Sequence, residues 1–442
     1  MKAVTYDALG EWTESYEQDS QRQLAALALS KSNMNDLAFR PAAGNLLRQK
    51  FSVNVKTMEA TNQKSSGRCW LFAATNVLRE RIAQKCNMEK FELSQSYLAF
   101  FDKFERCNYF FENILETASL PTTDRTVAHI LSTGVHDGGQ WDMFANIVRK
   151  YGIMPKDAYD ETFQSGNTAV MNRILNQNLK AGAIRLRKIV MENATEAEIQ
   201  EEKNRMLAKI YKFLCSCYGE PPKTFDFEYV DKDEVYHVEK GCTPKSFADK
   251  YVGDVLDKTV SIIHAPTKDK PFHQTFTVRM LGNVVGGKDV MHLNLELQEF
   301  KDAVIRQLQA GKAVWFGSDV SYYGDRERGL WDDQSFDFPL LTGLELDIDK
   351  ADGLAYGFSA MNHAMVITGV NLVDGKPNRW KIENSWGDKS GANGYYVCSD
   401  SWFDKFVYQA AVEKEYLGNL AEYADKKPIA LEPWDPMGTL AD

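Results

Sequence analysis

The chain lacks a paired cysteine framework, a long apolar run and an excess of basic residues. Its seven cysteines, at 69, 86, 107, 215, 217, 242 and 398, are odd in number and show no paired spacing. Reduced thiols are therefore expected, and most of them read as small buried hydrophobes. No run approaches the roughly 20 apolar residues that span a bilayer. The opening Met1-Lys2-Ala3-Val4-Thr5-Tyr6-Asp7-Ala8 has no apolar stretch that could serve as a signal peptide. The expectation is a cytoplasmic chain with no membrane partner. Lysine and arginine total 52 against 62 acidic residues, a formal charge of -10, so nucleic acid is not an expected partner unless basic residues cluster locally. Metal-ligand spacings are missing as well. No His-Glu-x-x-His occurs, and Cys215-Ser216-Cys217 lacks the spacer of roughly two to four residues found in zinc pairs.

What is present is size and a substantial core. At 442 residues and 44% apolar, the chain is long enough for one large body with insertions or for two to three subdomains. Residues 15–32 read as an amphipathic helix ahead of that body, and residues 66–82 as a second helix entered through Ser65-Ser66-Gly67. A third helix carries Met143, Phe144, Ile147 and Val148 and stops at Tyr151-Gly152, with Pro155 beyond. Between 165 and 260 apolar residues recur at helical spacing. Thr195-Glu196-Ala197-Glu198 has the form of a capping box there, and Thr243-Pro244 that of an N-cap followed by proline. After about residue 258 the period shifts to strands, at 260–263, 275–278, 290–297, 313–316, 364–370 and 380–383, with a helix over 300–308. Helices first and strands later is an α+β order.

One glycine-rich segment nearly matches a phosphate-binding loop: Gly282-Asn283-Val284-Val285-Gly286-Gly287-Lys288-Asp289. Asp289 stands where a magnesium-ligating hydroxyl belongs, and residues 290–297 alternate like a strand, so no helix N-terminus faces a phosphate. A hairpin turn is the expectation.

The chemical signal lies in three places. The first is Gln63-Lys64-Ser65-Ser66-Gly67-Arg68-Cys69-Trp70. A cysteine in the first turn of a helix feels the positive end of the macrodipole, which favours thiolate. Gln63 can place a side-chain N–H beside that sulfur as half of an oxyanion hole. The second is Asn362-His363-Ala364-Met365, at the start of an apolar strand, and the third is Glu383-Asn384-Ser385-Trp386-Gly387, at the end of the next. Adjacent antiparallel strands bring His363 and Asn384 side by side, with Asn384 orienting the imidazole and Trp386 covering it. Taken singly, each pattern has an ordinary structural explanation. Together they form a nucleophile, a base and an orienting group.

These segments resemble the papain superfamily. With Asp137-Gly138-Gly139-Gln140-Trp141-Asp142-Met143 and the tail Glu432-Pro433-Trp434-Asp435-Pro436-Met437-Gly438, nearly the whole chain resembles the bleomycin hydrolase and aminopeptidase C family. The resemblance implies a papain-like two-lobed cysteine peptidase core with a helical insertion and an N-terminal extension. It divides the chain into an arm (1–55), a helical lobe with the nucleophile (56–164), the insertion (165–260), a β-rich lobe with the histidine and asparagine (261–430) and a tail reaching the active-site cleft (431–442). Cys69, His363, Asn384 and Gln63 take the catalytic roles. Gly138 and Gly139 resemble the backbone segment that pairs with a bound peptide. The family's pattern commonly closes near the Leu-Ala corresponding to Leu440-Ala441, so Asp442 is either trimmed by the enzyme's own active site or supplies the carboxylates that meet the substrate's ammonium group. The implied activity is release of N-terminal residues from peptides, without metal or cofactor, by a homohexamer. An endopeptidase or amidase, and an idle nucleic-acid-binding scaffold, are the rival readings. His363 follows Cys69 by 294 residues (363 − 69), against roughly 130–150 in papain-like enzymes, and the insertion accounts for the surplus. Ser66 stands where papain's pattern has a cysteine, which removes a disulfide partner.

Overall fold

The computed structural model describes residues 1–441, so Asp442 and the anchoring role expected of it lie outside the described residues. Helices fill the first half and strands the second, the expected α+β order. The helix that carries Cys69 runs Cys69–Lys85, three residues beyond the expected end, and is buried along most of its length. Beside it lies Gln95–Glu116, capped by Ser94, whose hydroxyl accepts from the Tyr97 N–H. The sequence pattern assigned no element there. Its aromatic residues sit on adjacent positions (Phe100-Phe101, Phe110-Phe111) and its charges are buried, which blurs the helical period. Trp141–Tyr151 completes the group and ends at Gly152 with φ of +80°.

Twelve of the strands form one sheet. Its order is Ile429–Leu431, Gln274–Val278, His292–Asn294, Thr259–Ile263, Val407–Glu413, Val314–Ser318, His363–Val373, Lys376–Glu383, Tyr395–Ser399, Leu330–Trp331 and Gly324–Asp325. The short Val53–Asn54 strand pairs with His363–Val373 off this path. Two central strands, Val314–Ser318 and the first part of His363–Val373, are buried throughout. The turn between His363–Val373 and Lys376–Glu383 uses Asp374 and Gly375 at φ of +50° and +77°, the left-handed pair that suits a tight hairpin. One continuous core joins helices and sheet. Trp315 Nε1 donates to the Trp70 carbonyl at 3.1 Å, which fixes the Cys69 helix against the sheet centre.

Three stretches differ from the sequence-based expectation, and a fourth follows it. The single helix expected over 15–32 is replaced by two, Tyr6–Gln18 and Ser20–Leu29, broken at Asp19, whose carboxylate caps the second by accepting from Arg22 N. The 165–260 segment is not helical throughout: its long helices are Ala169–Met191 and Glu196–Tyr218. After Gly219 it becomes a two-stranded ribbon, Phe225–Val230 with Tyr236–Cys242, before returning to helix at Pro244–Tyr251. The alternation Phe225-Asp226-Phe227-Glu228 puts both phenylalanines inward, a period of two that the prolines and the flanking helices obscured. The strand expected over 290–297 shrinks to His292–Asn294, because Glu296 and Glu299 close a capping box that starts the helix Leu297–Gln309. The glycine-rich segment 282–289 connects the antiparallel pair Gln274–Val278 and His292–Asn294, and no helix adjoins it directly.

Candidate active site

The loop before Cys69 is bound at almost every residue. Gln63 N donates to the Ser385 carbonyl at 2.8 Å, and Ser65 N to the Gly166 carbonyl at 3.0 Å. Gly67 N donates to Asp137 Oδ2 at 3.0 Å. Lys64 adopts φ of +55°. The Gln63 side chain is held at both ends: Oε1 accepts from Ser385 Oγ at 2.6 Å, and Nε2 donates to the Ser66 carbonyl. One N–H of that amide remains for a ligand. Arg68 turns away and pairs bidentately with Glu161 at 2.9 and 2.8 Å. Cys69 is then the first helical residue, 4% exposed, with the unsatisfied N–H groups of the first turn around it.

The strand His363–Val373 delivers the second group. Ala364 N donates to Cys69 Sγ at 3.4 Å, so the residue after His363 touches the sulfur directly. Asn384 lies just past the end of the neighbouring strand, and its Oδ1 lies 2.9 Å from His363 Nε2. A carboxamide oxygen only accepts, so Nε2 carries the hydrogen and Nδ1 keeps its lone pair. Trp386 stacks on the imidazole with centroids 4.9 Å apart, and the Arg326 guanidinium lies 4.7 Å from the Trp386 ring centroid.

Burial sets the electrostatics. It pushes the Cys69 thiol up to about 11, against the pull of the backbone N–H groups of Ala364, Trp70 and Cys69. It pushes the His363 imidazolium down to about 4, with the Asn384 hydrogen bond opposing and Arg326 adding to the fall. A lone thiolate and a lone imidazolium are both disfavoured. Proton transfer from sulfur to imidazole leaves the pair neutral as a whole, and the helix N-terminus with the Ala364 N–H supports the thiolate it creates.

Two supporting networks carried no sequence signal. Glu383, next to Asn384, accepts from Asn76 Nδ2 at 2.8 Å and Arg79 Nη2 at 2.9 Å, both on the Cys69 helix. Burial pushes its carboxyl up to about 7, although Arg79 pulls the other way. Asn362, before His363, donates to Asp319 Oδ1 at 2.6 Å and accepts from Val320 N at 3.0 Å, while Ser359 Oγ donates to Asp319 Oδ2 at 2.8 Å. These contacts join residues far apart in the chain, and a buried Asn or Arg inside a helix looks ordinary until its partner is in place.

The Gly138-Gly139 segment lies beside Trp70. Trp70 Nε1 donates to the Asp137 carbonyl at 2.6 Å, and a Cβ added at Gly139 would meet the Trp70 ring at 2.5 Å, so no side chain fits there. Burial favours a neutral Asp137, but Lys103, Thr168 and Asn172 override it and hold the carboxyl well below the usual range. The tail is packed rather than frayed: Met437, Leu440 and Ala441 are buried. Gln140 Nε2 donates to the Met437 carbonyl at 3.2 Å, and Thr439 Oγ1 to the Met361 carbonyl at 2.8 Å. The structure thus brings Cys69, His363, Asn384, Gln63, the two glycines and the tail into one region. A wide cleft of about 1330 Å³, lined by Met58, Arg79, Lys90, Phe227 and Lys312, lies elsewhere, and Cys69, His363 and Asn384 do not line it. Among the described residues no cluster of His, Cys, Asp and Glu could hold a metal ion, and no helix is long and apolar enough to cross a membrane.

Known proteins resemble this chain closely. The model of the Peptidase C1-like family matches residues 3–438. Aminopeptidase C of Lactobacillus delbrueckii subsp. lactis is 46% identical over 444 residues, covering 100% of this chain and 99% of the relative. Aminopeptidase C of Lactobacillus helveticus is 48% identical over 395 residues, covering 88% of each. The crystal structure of PepW from Lactobacillus rhamnosis HN001 superposes with a TM-score of 0.96 at 45% identity, covering 99% of both chains.

Proposed function

Because the chain belongs to the Peptidase C1-like family, we propose that it is a cysteine aminopeptidase, releasing N-terminal residues from peptides through an acyl-enzyme on Cys69. The observation that carries this reading is the sulfur at a helix N-terminus, 3.4 Å from Ala364 N, beside an imidazole whose Nε2 is tied to Asn384. The Cys69 thiolate attacks the scissile carbonyl, and the oxyanion meets the Cys69 backbone N–H and the remaining Gln63 N–H. His363 passes the sulfur's proton to the leaving amine, which departs as the thioester forms. It then takes a proton from water, whose oxygen displaces the thiolate. Asn384 keeps the ring in one tautomer throughout. Extended peptide pairs with Gly138-Gly139.

The tail is the reason to favour removal of end residues over internal cleavage. Its last described turn bonds to Gln140 on the helical side and to Met361 on the sheet side, a seat that supports a tail lying across the cleft and limiting substrates to one residue before the scissile bond. Asp442, one residue further, is proposed to supply the carboxylate that meets the substrate's ammonium group. Turnover of a free and an N-acetylated aminoacyl amide tests this. Hydrolysis of the free amide alone is expected, and equal hydrolysis of both returns the reading to an open-cleft endopeptidase or amidase.

Cytoplasmic residence fits the seven free cysteines. The first two helices bury none of their residues and expose Tyr6, Leu9, Trp12, Tyr16, Leu24 and Leu27. Such a face favours self-association, and the homohexamer of the resembling family is the proposed assembly. Light scattering that returned a monomer at micromolar concentration would remove it.

A further inference from the structure

Behind the proposed substrate segment lies a buried charge cluster that the chemistry does not use. Arg106, on the helix Gln95–Glu116, is 7% exposed, and Asp102, one turn earlier, is 2% exposed. Arg106 Nε donates to both oxygens of Asp102, at 3.1 and 2.9 Å. The remaining arms of its guanidinium point at two backbone carbonyls: Nη1 donates to that of Ala441 at 3.2 Å, and Nη2 to that of Gly138. The same guanidinium lies 5.7 Å from the Trp70 ring centroid, beside the nucleophile. Asp102 is steadied from its far side by Asn283, whose Nδ2 donates to Asp102 Oδ1 at 2.9 Å and to the Met143 carbonyl at 3.0 Å. Asn283 is fully buried. It belongs to the glycine-rich segment that resembles a phosphate loop, and here it serves as a brace.

A carbonyl taken by a buried guanidinium is held in direction as well as in place, because five N–H donors in a rigid plane fix several acceptors at once. We infer that Arg106 is the specificity-determining clamp of this protein, fastening the end of the tail to Gly138 so that the cleft accepts only substrates that end there. The inference rests on the proposed aminopeptidase reading and adds the residue that makes the gate rigid. Arg106 is a positioning residue, with no contact to reacting atoms. A charge-assisted hydrogen bond favours one conformer by about tenfold to a hundredfold. Loss of the clamp should therefore free the tail in a substantial fraction of molecules. Lysine, with a single ammonium, cannot reach Asp102 and both carbonyls together.

The test compares four proteins on an alanine amide and on N-acetyl-alanyl-alanine amide: wild type, a truncation lacking residues 438–442, Arg106→Gln, and the double variant Asp102→Asn with Arg106→Gln. The double variant leaves no unpaired buried charge and keeps the test alive if the single variant does not fold. Expected is a gain of at least about tenfold in kcat/KM on the blocked substrate for truncation and both Arg106 variants. On the free amine the Arg106 variants should raise KM more than they lower kcat. A loss confined to stability or kcat would mark a merely structural residue. If truncation opens the cleft and the Arg106 variants still reject the blocked substrate, the clamp is wrong and the tail reading stands. If truncation also leaves blocked substrates rejected, the tail is not the gate, and the clamp falls with it.

Discussion

At the scale of single residues, Cys69, His363 and Asn384 sit together, and the proposed chemistry gives them unequal roles. Cys69→Ala removes the proposed nucleophile and should lower kcat by on the order of 10⁴-fold or more, with the melting temperature little changed because one small atom is lost. His363→Ala should cost kcat about 10²–10⁴-fold, the usual worth of a positioned acid–base group, and Asn384→Ala should cost less, since water can replace an orienting acceptor. A kcat lower for Asn384→Ala than for His363→Ala would reverse the roles. The pH profile is set by burial. With the imidazolium pushed down to about 4 and the thiol up to about 11, the pair keeps one shared proton between them. Lowering the pH adds a second proton and gives an unreactive thiol with imidazolium. The acid limb of kcat/KM should therefore lie well below about 6.5, the ordinary histidine value, and a limb centred there would contradict the buried pair. These residues were legible in the sequence because each sits in a short local motif. Arg106, Arg79 and Asp319 were not, because their meaning depends on partners such as Ala441, Glu383 and Asn362 that only the fold supplies.

At the scale of elements, the site depends on two strands and one helix meeting at fixed height. Glu383 ties the Asn384 strand to the Cys69 helix through Asn76 and Arg79. Its carboxyl is raised from 4.5 to about 7, chiefly by burial. A carboxyl raised in the folded chain binds its proton more tightly there than when unfolded, so its contribution is fully present below about 4.5 and is lost as pH rises through about 7. Arg79→Met removes the charge that partly opposes this. Its destabilisation should approach about 3–5 kcal/mol at pH 8, where a buried carboxylate is left unpaired, and should shrink at pH 5.5, where the carboxyl is neutral. Denaturant titration at the two pH values checks this, and an equal loss at both would remove Glu383 as the cause. Elements were legible from sequence where a cap or a stop is local, as at Thr195, Thr243 and Gly152. They were hidden at Gln95–Glu116, where aromatic pairs and buried charges mask the period, and at Phe225–Cys242, where a short ribbon interrupts helices.

At the scale of the molecule, the proposed specificity rests on the packed tail rather than on the reacting groups. Helical lobe and sheet meet along a line marked by Trp70, Trp315 and His363, and the tail lies across that line from Gln140 to Met361. The same nucleophile, base and orienting group in an uncovered cleft would cut internal bonds; the tail should convert that chemistry into removal of one residue at a time. In the sequence the tail was legible only through the family resemblance carried by residues 432–438, and its seat became visible only with the lobes assembled. The most direct test is mass spectrometry of the acyl-enzyme, trapped by rapid acid quenching during turnover of an unblocked peptide and then digested. The expected result is an adduct on the Cys69 peptide with the mass of one N-terminal aminoacyl group, its amine free. An adduct on another residue, or an acyl group of several residues on Cys69, would contradict the proposed chemistry.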